Sequence, residues 1–149
     1  MICKAKDIDV PVLAELAMGL WPRHTAAEFE MEFADLVQSQ KAALFLAYEE
    51  EAACGFAQCQ LRHDYVEGTR TSPVGYLEGI YVLEPYRGRG IAKALLASCE
   101  VWAKEQGCAE FASDCELDNT QSLRFHLGVG FQEANRVICF TKELREVSR

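Results

Sequence analysis

The chain lacks the features that would make it a membrane, disulfide-stapled or zinc protein. Its seven cysteines (Cys3, Cys54, Cys59, Cys99, Cys108, Cys115 and Cys139) are scattered and odd in number, with no C-x-x-C pair. Neither a disulfide framework nor a metal site is expected from them. They read as reduced thiols in a cytoplasmic protein, filling core or half-buried positions. No apolar run is long enough to span a bilayer and no signal peptide opens the chain, so no membrane partner is expected. Positive charge is also short: 15 Lys and Arg stand against 23 Asp and Glu, a formal net charge of −8. A nucleic-acid surface needs the opposite balance, whereas an acidic protein suits a small cationic substrate. Repeats and low-complexity segments are absent, and half of the 149 residues are apolar. That composition reads as one folded domain over residues 1–149.

The stretch that organises the chain is YLEGIYVLEPYRGRGIAKALLASCEVWAKE, residues 76–105. Tyr76 to Leu83 is apolar and β-prone without clean alternation, as expected of a strand covered on both faces. Glu84 and Pro85 end it, because proline has no amide proton and pushes its predecessor away from helical angles. After Gly88 and Gly90 the apolar period becomes helical: Ile91, Ala94, Leu95, Cys99, Val101 and Trp102 recur on one side, with Lys93, Glu100, Lys104 and Glu105 on the other.

A helix opens with amide groups that have no partner inside it, and its dipole adds positive potential there. The glycines let the main chain approach a bulky anion, and Arg87, Arg89 and Lys93 add charge. The expected result is a phosphate cradle, best suited to a pyrophosphate. A dinucleotide fold fits less well: only two glycines are present, and no G-x-G-x-x-G follows an early strand.

Arg87-Gly88-Arg89-Gly90-Ile91-Ala92 resembles the R/Q-x-x-G-x-G/A motif of GNAT-type N-acetyltransferases, with the same strand before it and helix after it. The resemblance implies acetyl-CoA as cosubstrate and no metal. It implies that backbone amides of Gly88, Arg89, Gly90, Ile91, Ala92 and Lys93 hold the CoA pyrophosphate. Backbone groups of Ile80, Tyr81 and Val82 would pair with the pantetheine arm as an added strand would.

Taken in order, residues 2–6 read as a strand. Asp7 can cap a helix over 8–21, closed by Pro22. Thr25 and Glu28 form a capping box for a second helix reaching about Gln38. Strands follow over 42–48 and 53–62, then the polar loop 63–72 with Tyr65 in it. Beyond the central helix come a short strand over 110–113, Asp114 at its end, a helix capped by Asn119 or Thr120, and a hairpin whose clear strand is 137–142. Residues 144–149 read as a loose tail. The order β-α-α-β-β-β-α-β-α-β-β is that of the GNAT fold: α/β, with a mixed, mostly antiparallel sheet flanked by helices. Asn119-Thr120-Gln121-Ser122 through His126 to Gly130-Phe131 resembles that family's closing segment, which puts Asn119 near the pantetheine.

A closer resemblance is to aminoglycoside 6'-N-acetyltransferases. It rests on LWPRH (20–24), RHDYVEG (62–68), SPVGYLEGIYV (72–82), and ASD (112–114) followed by Asn119-Thr120. It implies transfer of acetyl to a primary amine of an aminoglycoside, by direct attack within a ternary complex, and a homodimer. The implied contact set is Trp21, His24, Tyr65, Glu78 and Asp114, with the aromatics against sugar faces and the acids on amines. Independently of the resemblance, a carboxylate at Glu78 inside a covered strand is costly without a partner, which marks it as functional. Glu78, directly or through water, and Asp114 are the catalytic candidates, and the sequence leaves open which one moves the proton. Two positions depart from the pattern: Asn135 stands where similar enzymes often carry an acid, and His126 where the wider family has a tyrosine. His126 reads equally as a packed helix residue. Two alternatives remain: a GNAT enzyme for a polyamine or other small amine, and a non-catalytic acetyl-CoA-binding module.

Overall fold

The structure is a computed structural model and describes residues 1–146; residues 147–149 of the expected tail lie outside the described residues. Five strands form one sheet in the order β1-β2-β3-β4-β5: Ile2–Lys4, Ala42–Glu49, Ala52–Arg62, Val74–Val82 and Phe111–Ser113. The first three pairings are antiparallel and β4–β5 is parallel, so the sheet is mixed and mostly antiparallel, as expected.

The sheet is buried on both faces because alternate side chains of a strand serve opposite cores. On β2, Ala43, Phe45 and Ala47 join one core while Leu44 and Leu46 join the other. On β3, Cys54, Ala57 and Cys59 face the first core and Phe56 the second. Helix α3 (Ile91–Glu105) closes the first with Leu95, Leu96, Cys99 and Trp102. Helices α1 (Val10–Leu20) and α2 (Ala26–Gln38) close the second with Leu13, Leu16, Phe29 and Phe33. This two-sided burial is why β4 shows no alternation.

Several boundaries shift for local reasons. Residues Asp7–Asp9 form a short 3₁₀ turn, and the helix proper starts at Val10 beside Pro11. Asp7 does not cap it; its carboxylate accepts from Gln38 Nε2 at 2.7 Å, tying the turn to the end of α2. Thr25 does cap α2, its Oγ1 accepting from the Glu28 amide at 3.2 Å. The Glu28 carboxylate is turned to the Thr25 hydroxyl and to His24 Nδ1.

The expected C-terminal hairpin is not formed. After α4 (Thr120–Gly128), residues 131–146 carry no helix or strand. Val137 and Ile138, and Phe140 at 88% exposure, face solvent. The residues have the β propensity of a strand, but a strand exists only where a ladder partner is available, and among the described residues, residues 137–142 have none.

Candidate active site

The site begins where β4 and β5 part. Their pairing runs Gly75↔Phe111, Tyr76↔Ala112, Leu77↔Ser113 and stops. Glu78 and Asp114 are the next residue on each strand, so the two carboxylates stand at the fork. Past it, β4 continues to Val82 without a partner on that side, leaving backbone groups around Ile80 to Val82 open. One is taken locally: Val82 O accepts from Arg87 Nε at 2.8 Å.

Glu78 is presented by a register shift. On β3, Gln58 pairs with Gly79 and Cys59 with Leu77, so Glu78 is the unpaired bulge residue. Gly79 has its own reason to be glycine: a Cβ there would lie 2.5 Å from the Trp21 ring. The missing side chain lets Trp21 lie against β4 beside Glu78.

The Glu78 carboxylate is not alone. Arg62, at the end of β3, donates to it from Nε at 3.0 Å and Nη2 at 2.8 Å, a bidentate pair. The same guanidinium lies over the Tyr76 ring, 3.4 Å from its centroid. The Tyr76 hydroxyl donates to Asp114 Oδ2. Glu78, Arg62, Tyr76 and Asp114 therefore form one chain of contacts. Burial, then the Asp114 hydrogen bond, raise the Tyr76 pKa, so its phenol stays protonated and remains a donor. The hydrogen bond to Glu78 raises the Arg62 pKa.

The expected contact set divides around Arg62. Trp21, His24 and Glu78 line one depression with Glu28, Phe29, Glu32 and Gln58. Tyr65 and Asp114 line a larger cavity of about 950 Å³ with Arg62 and Tyr76. Trp21 is half-buried, its ring 5.8 Å from Phe29 and 6.1 Å from Phe56. His24 packs edge-on to Phe29 and bonds Glu28 at 2.9 Å, which lowers the Glu28 pKa. Tyr65 is exposed, donating to Glu67 at 3.1 Å. Its loop is pinned by buried Val66 and by Glu110, which accepts from the Arg70 and Thr71 amides at 2.8 and 2.9 Å. Asn135, the departure from the acidic pattern, donates to Glu67 at 3.0 Å.

Sequence reasoning overlooked Arg62, Tyr76, Gln58, Glu28 and Glu32 as site residues. A usable signal existed for Arg62, since a carboxylate in a covered strand needs a cation. Gln58 is buried within a sheet strand yet faces a depression, which no local pattern reveals.

At the other end lies the cradle. Gly88 and Gly90 have φ of +80° and +79°, the left-handed region. A Cβ on either would meet nothing within 4 Å, so the space above the turn is open. The first amide in the helical ladder is Ala94, donating to Gly90 O at 3.0 Å. The amides of Ile91, Ala92 and Lys93 precede it and, among the described residues, have no backbone acceptor. Arg89 lies over Tyr86, 5.4 Å from its ring, and Lys93 is exposed. Open space, free amides and nearby cations fit a diphosphate. Asn119 caps α4, accepting the Ser122 amide at 3.0 Å, which leaves its side-chain NH₂ free on that exposed end.

Two nearby groups are committed elsewhere. His126 Nδ1 lies 2.7 Å from Ser122 O, and a carbonyl only accepts, so that nitrogen carries the proton. Nε2 lies 2.7 Å from Ser113 Oγ, a hydroxyl able to donate or accept. The ring bridges α4 and β5. Cys54, Cys59 and Cys99 are buried in the core, and the Cys99 thiol is pushed up by its hydrogen bond to Cys59 and by burial, so it is no nucleophile. Among the described residues no group of three or more His, Cys, Asp or Glu could hold a metal.

Comparison with known proteins gives a consistent result. Residues 11–131 match the model of the acetyltransferase (GNAT) family. The chain is 43% identical over 130 residues to aminoglycoside N(6')-acetyltransferase type 1 of Acinetobacter haemolyticus, covering 87% of this chain and 89% of that one. It is 40% identical over 144 residues to the enzyme of the same name from Stenotrophomonas maltophilia, covering 96% and 93%. Among solved structures, AAC(6')-Iy in complex with the bisubstrate analog CoA-S-monomethyl-acetylneamine superposes with a TM-score of 0.92 at 38% identity, covering 96% of this chain and 97% of that one.

Proposed function

The chain belongs to the GNAT family of acetyltransferases, and from that premise we propose that it transfers acetyl from acetyl-CoA to the 6'-amine of an aminoglycoside antibiotic, conferring resistance to it. The observation that carries this reading is the fork. Two carboxylates, Glu78 and Asp114, stand at the point where β4 leaves β5 and begins an open backbone edge leading to the amides of α3. An acyl donor held by those amides and that edge has its far end at the acids. Two acids and their acidic neighbours, Glu28 and Glu32, suit a substrate with several amines, as an aminoglycoside is.

Acetyl-CoA supplies a thioester carbonyl open to attack. The chain must hold a polycation and remove one proton, because an ammonium has no lone pair. Asp114 binds one amine, its other oxygen being held by Tyr76. Glu78 is the base, directly or through water. Its bidentate pair with Arg62 means that an arriving ammonium shares or replaces that partner. A relayed base eases a conflict, since a close carboxylate also stabilises the ammonium it must deprotonate. Trp21 and Tyr65 offer faces to the sugar rings. His126 does not serve as acid for the departing thiolate, because both its ring nitrogens are engaged within the chain, by Ser122 O and Ser113 Oγ. Attack within a ternary complex is favoured over an acyl-cysteine, since the buried thiols face no base. We read residues 1–149 as one domain of a cytoplasmic homodimer.

The test is acetyl-CoA-dependent thiol release with kanamycin, with an analogue lacking the 6'-amine, and with spermidine. Release that requires the 6'-amine supports the reaction and its position. Release with spermidine alone keeps the cofactor and discards the drug. Binding of acetyl-CoA without release from any amine supports a non-catalytic module.

A further inference from the structure

Gln58 is out of place where it stands. It lies within β3 at 5% exposure, the one buried polar side chain among the described residues. Phe56, two residues before it and on the same face of the strand, belongs to the core under α1 and α2, with its ring 6.1 Å from that of Trp21. An apolar residue would suit position 58 equally well as packing.

The Gln58 amide makes no hydrogen bond among the described residues. Among the same residues, no side-chain nitrogen or oxygen sealed from solvent lacks a partner. The polar end of Gln58 is therefore not sealed: it opens into the depression of about 410 Å³ that it lines with Trp21, His24, Glu28, Glu32 and Glu78. A covered amide with no protein partner is costly, and the cost is recovered when a bound molecule supplies the partner.

Its surroundings fix what that molecule presents. Gln58 pairs with Gly79 across the ladder, directly beside the Glu78 bulge. Glu28, Glu32 and Glu78, when ionised, are acceptors only and serve ammonium groups. An amide is neutral, with an NH₂ that donates and a carbonyl that accepts, so its match is a hydroxyl, which also does both. The depression is in the size range of small-molecule sites. In an aminoglycoside the 6'-amine hangs by one methylene from its sugar ring, and the hydroxyls of that ring are close polar neighbours of the amine. A ring whose amine reaches Glu78 brings those hydroxyls to Gln58.

We propose that Gln58 is a specificity-determining residue: its amide hydrogen-bonds a hydroxyl of the sugar ring that carries the acetylated amine. The role rests on the acetyl-transfer reading above and adds how the ring is read. A hydroxylated ring pairs the amide, whereas a deoxygenated ring leaves it against a CH₂ group.

The test compares kanamycin B with its 3',4'-dideoxy analogue dibekacin, both of which keep the 6'-amine. The kcat/KM for each is measured with the unsubstituted protein, with Gln58→Met, which keeps the length and removes the amide, and with Gln58→Ala. The ratio of kanamycin B to dibekacin should fall about tenfold in both variants, the worth of one neutral hydrogen bond, with the acetyl-CoA dissociation constant unchanged. One folded variant is enough to decide. An unchanged ratio, an equal loss for both drugs, or a loss of acetyl-CoA binding overturns the role of Gln58 and leaves the acetyl-transfer reading standing. Failure of both variants to fold makes Gln58 a structural residue and overturns its role as well. No acetylation of either drug by the unsubstituted protein overturns the reading and the role together.

Discussion

In the proposed reading the two ends of the cleft take opposite charges by different means. The cradle at the start of α3 is backbone: two left-handed glycines and three free amides, with open space above them. The fork is side chain: Glu78, Arg62, Tyr76 and Asp114 in one connected row, with Glu78 at a bulge, Arg62 at the end of β3, Asp114 just past β5 and Tyr76 within β4. A backbone site is sensitive to conformation and indifferent to most side chains. A side-chain site is the reverse. The two should therefore fail separately.

The largest expected effect is at the fork. Glu78→Ala and Asp114→Ala should each lower kcat/KM for the drug by about 10²–10⁴-fold, the range for lost proton transfer and orientation. Steady-state rates at saturating acetyl-CoA check this, and wild-type turnover in both variants would remove them from the site. Next comes Gly90→Val. Its left-handed φ costs a β-branched residue about 1–2 kcal/mol, and the side chain enters space that is now open. The KM for acetyl-CoA should rise tenfold or more, with the drug KM nearly unchanged. Gly79→Ala should do the opposite at smaller scale, because its Cβ displaces Trp21; a rise of several-fold confined to the drug KM is expected. The smallest effect is on stability. Tyr76 has a raised pKa in the folded protein, so the folded state keeps a proton that the unfolded chain releases near pH 10. That contribution is complete below about pH 10 and is lost as pH rises beyond it. Tyr76→Phe should flatten the fall of the urea midpoint between about pH 9 and 11.

The same contrast decides what the sequence discloses. The cradle is legible because a backbone site needs glycines at a period change, and both signals are local. The two-sided core is legible for the same reason: β4 lacks alternation, and the stripes of α1, α2 and α3 are periodic. The fork is legible only in part. Glu78 stands out as an acid in a covered strand, but its partner Arg62 is 16 residues away and the Tyr76–Asp114 contact spans 38. Strand pairing makes both contacts, and no window of sequence contains it. The C-terminal segment is the limiting case. VICFTK has strand propensity, yet residues 137–142 find no ladder among the described residues, because propensity specifies the conformation and not the partner. Asp7 fails more simply: it has the residue type of a cap, but Gln38 from a distant helix takes its carboxylate.

The most direct test of this division is calorimetric titration of acetyl-CoA into Glu78→Ala and Asp114→Ala, on preparations whose drug acetylation has been measured. The account predicts dissociation constants within about twofold of the unsubstituted protein, alongside loss of turnover. Parallel loss of acetyl-CoA binding and turnover would contradict it, making the two ends one coupled site.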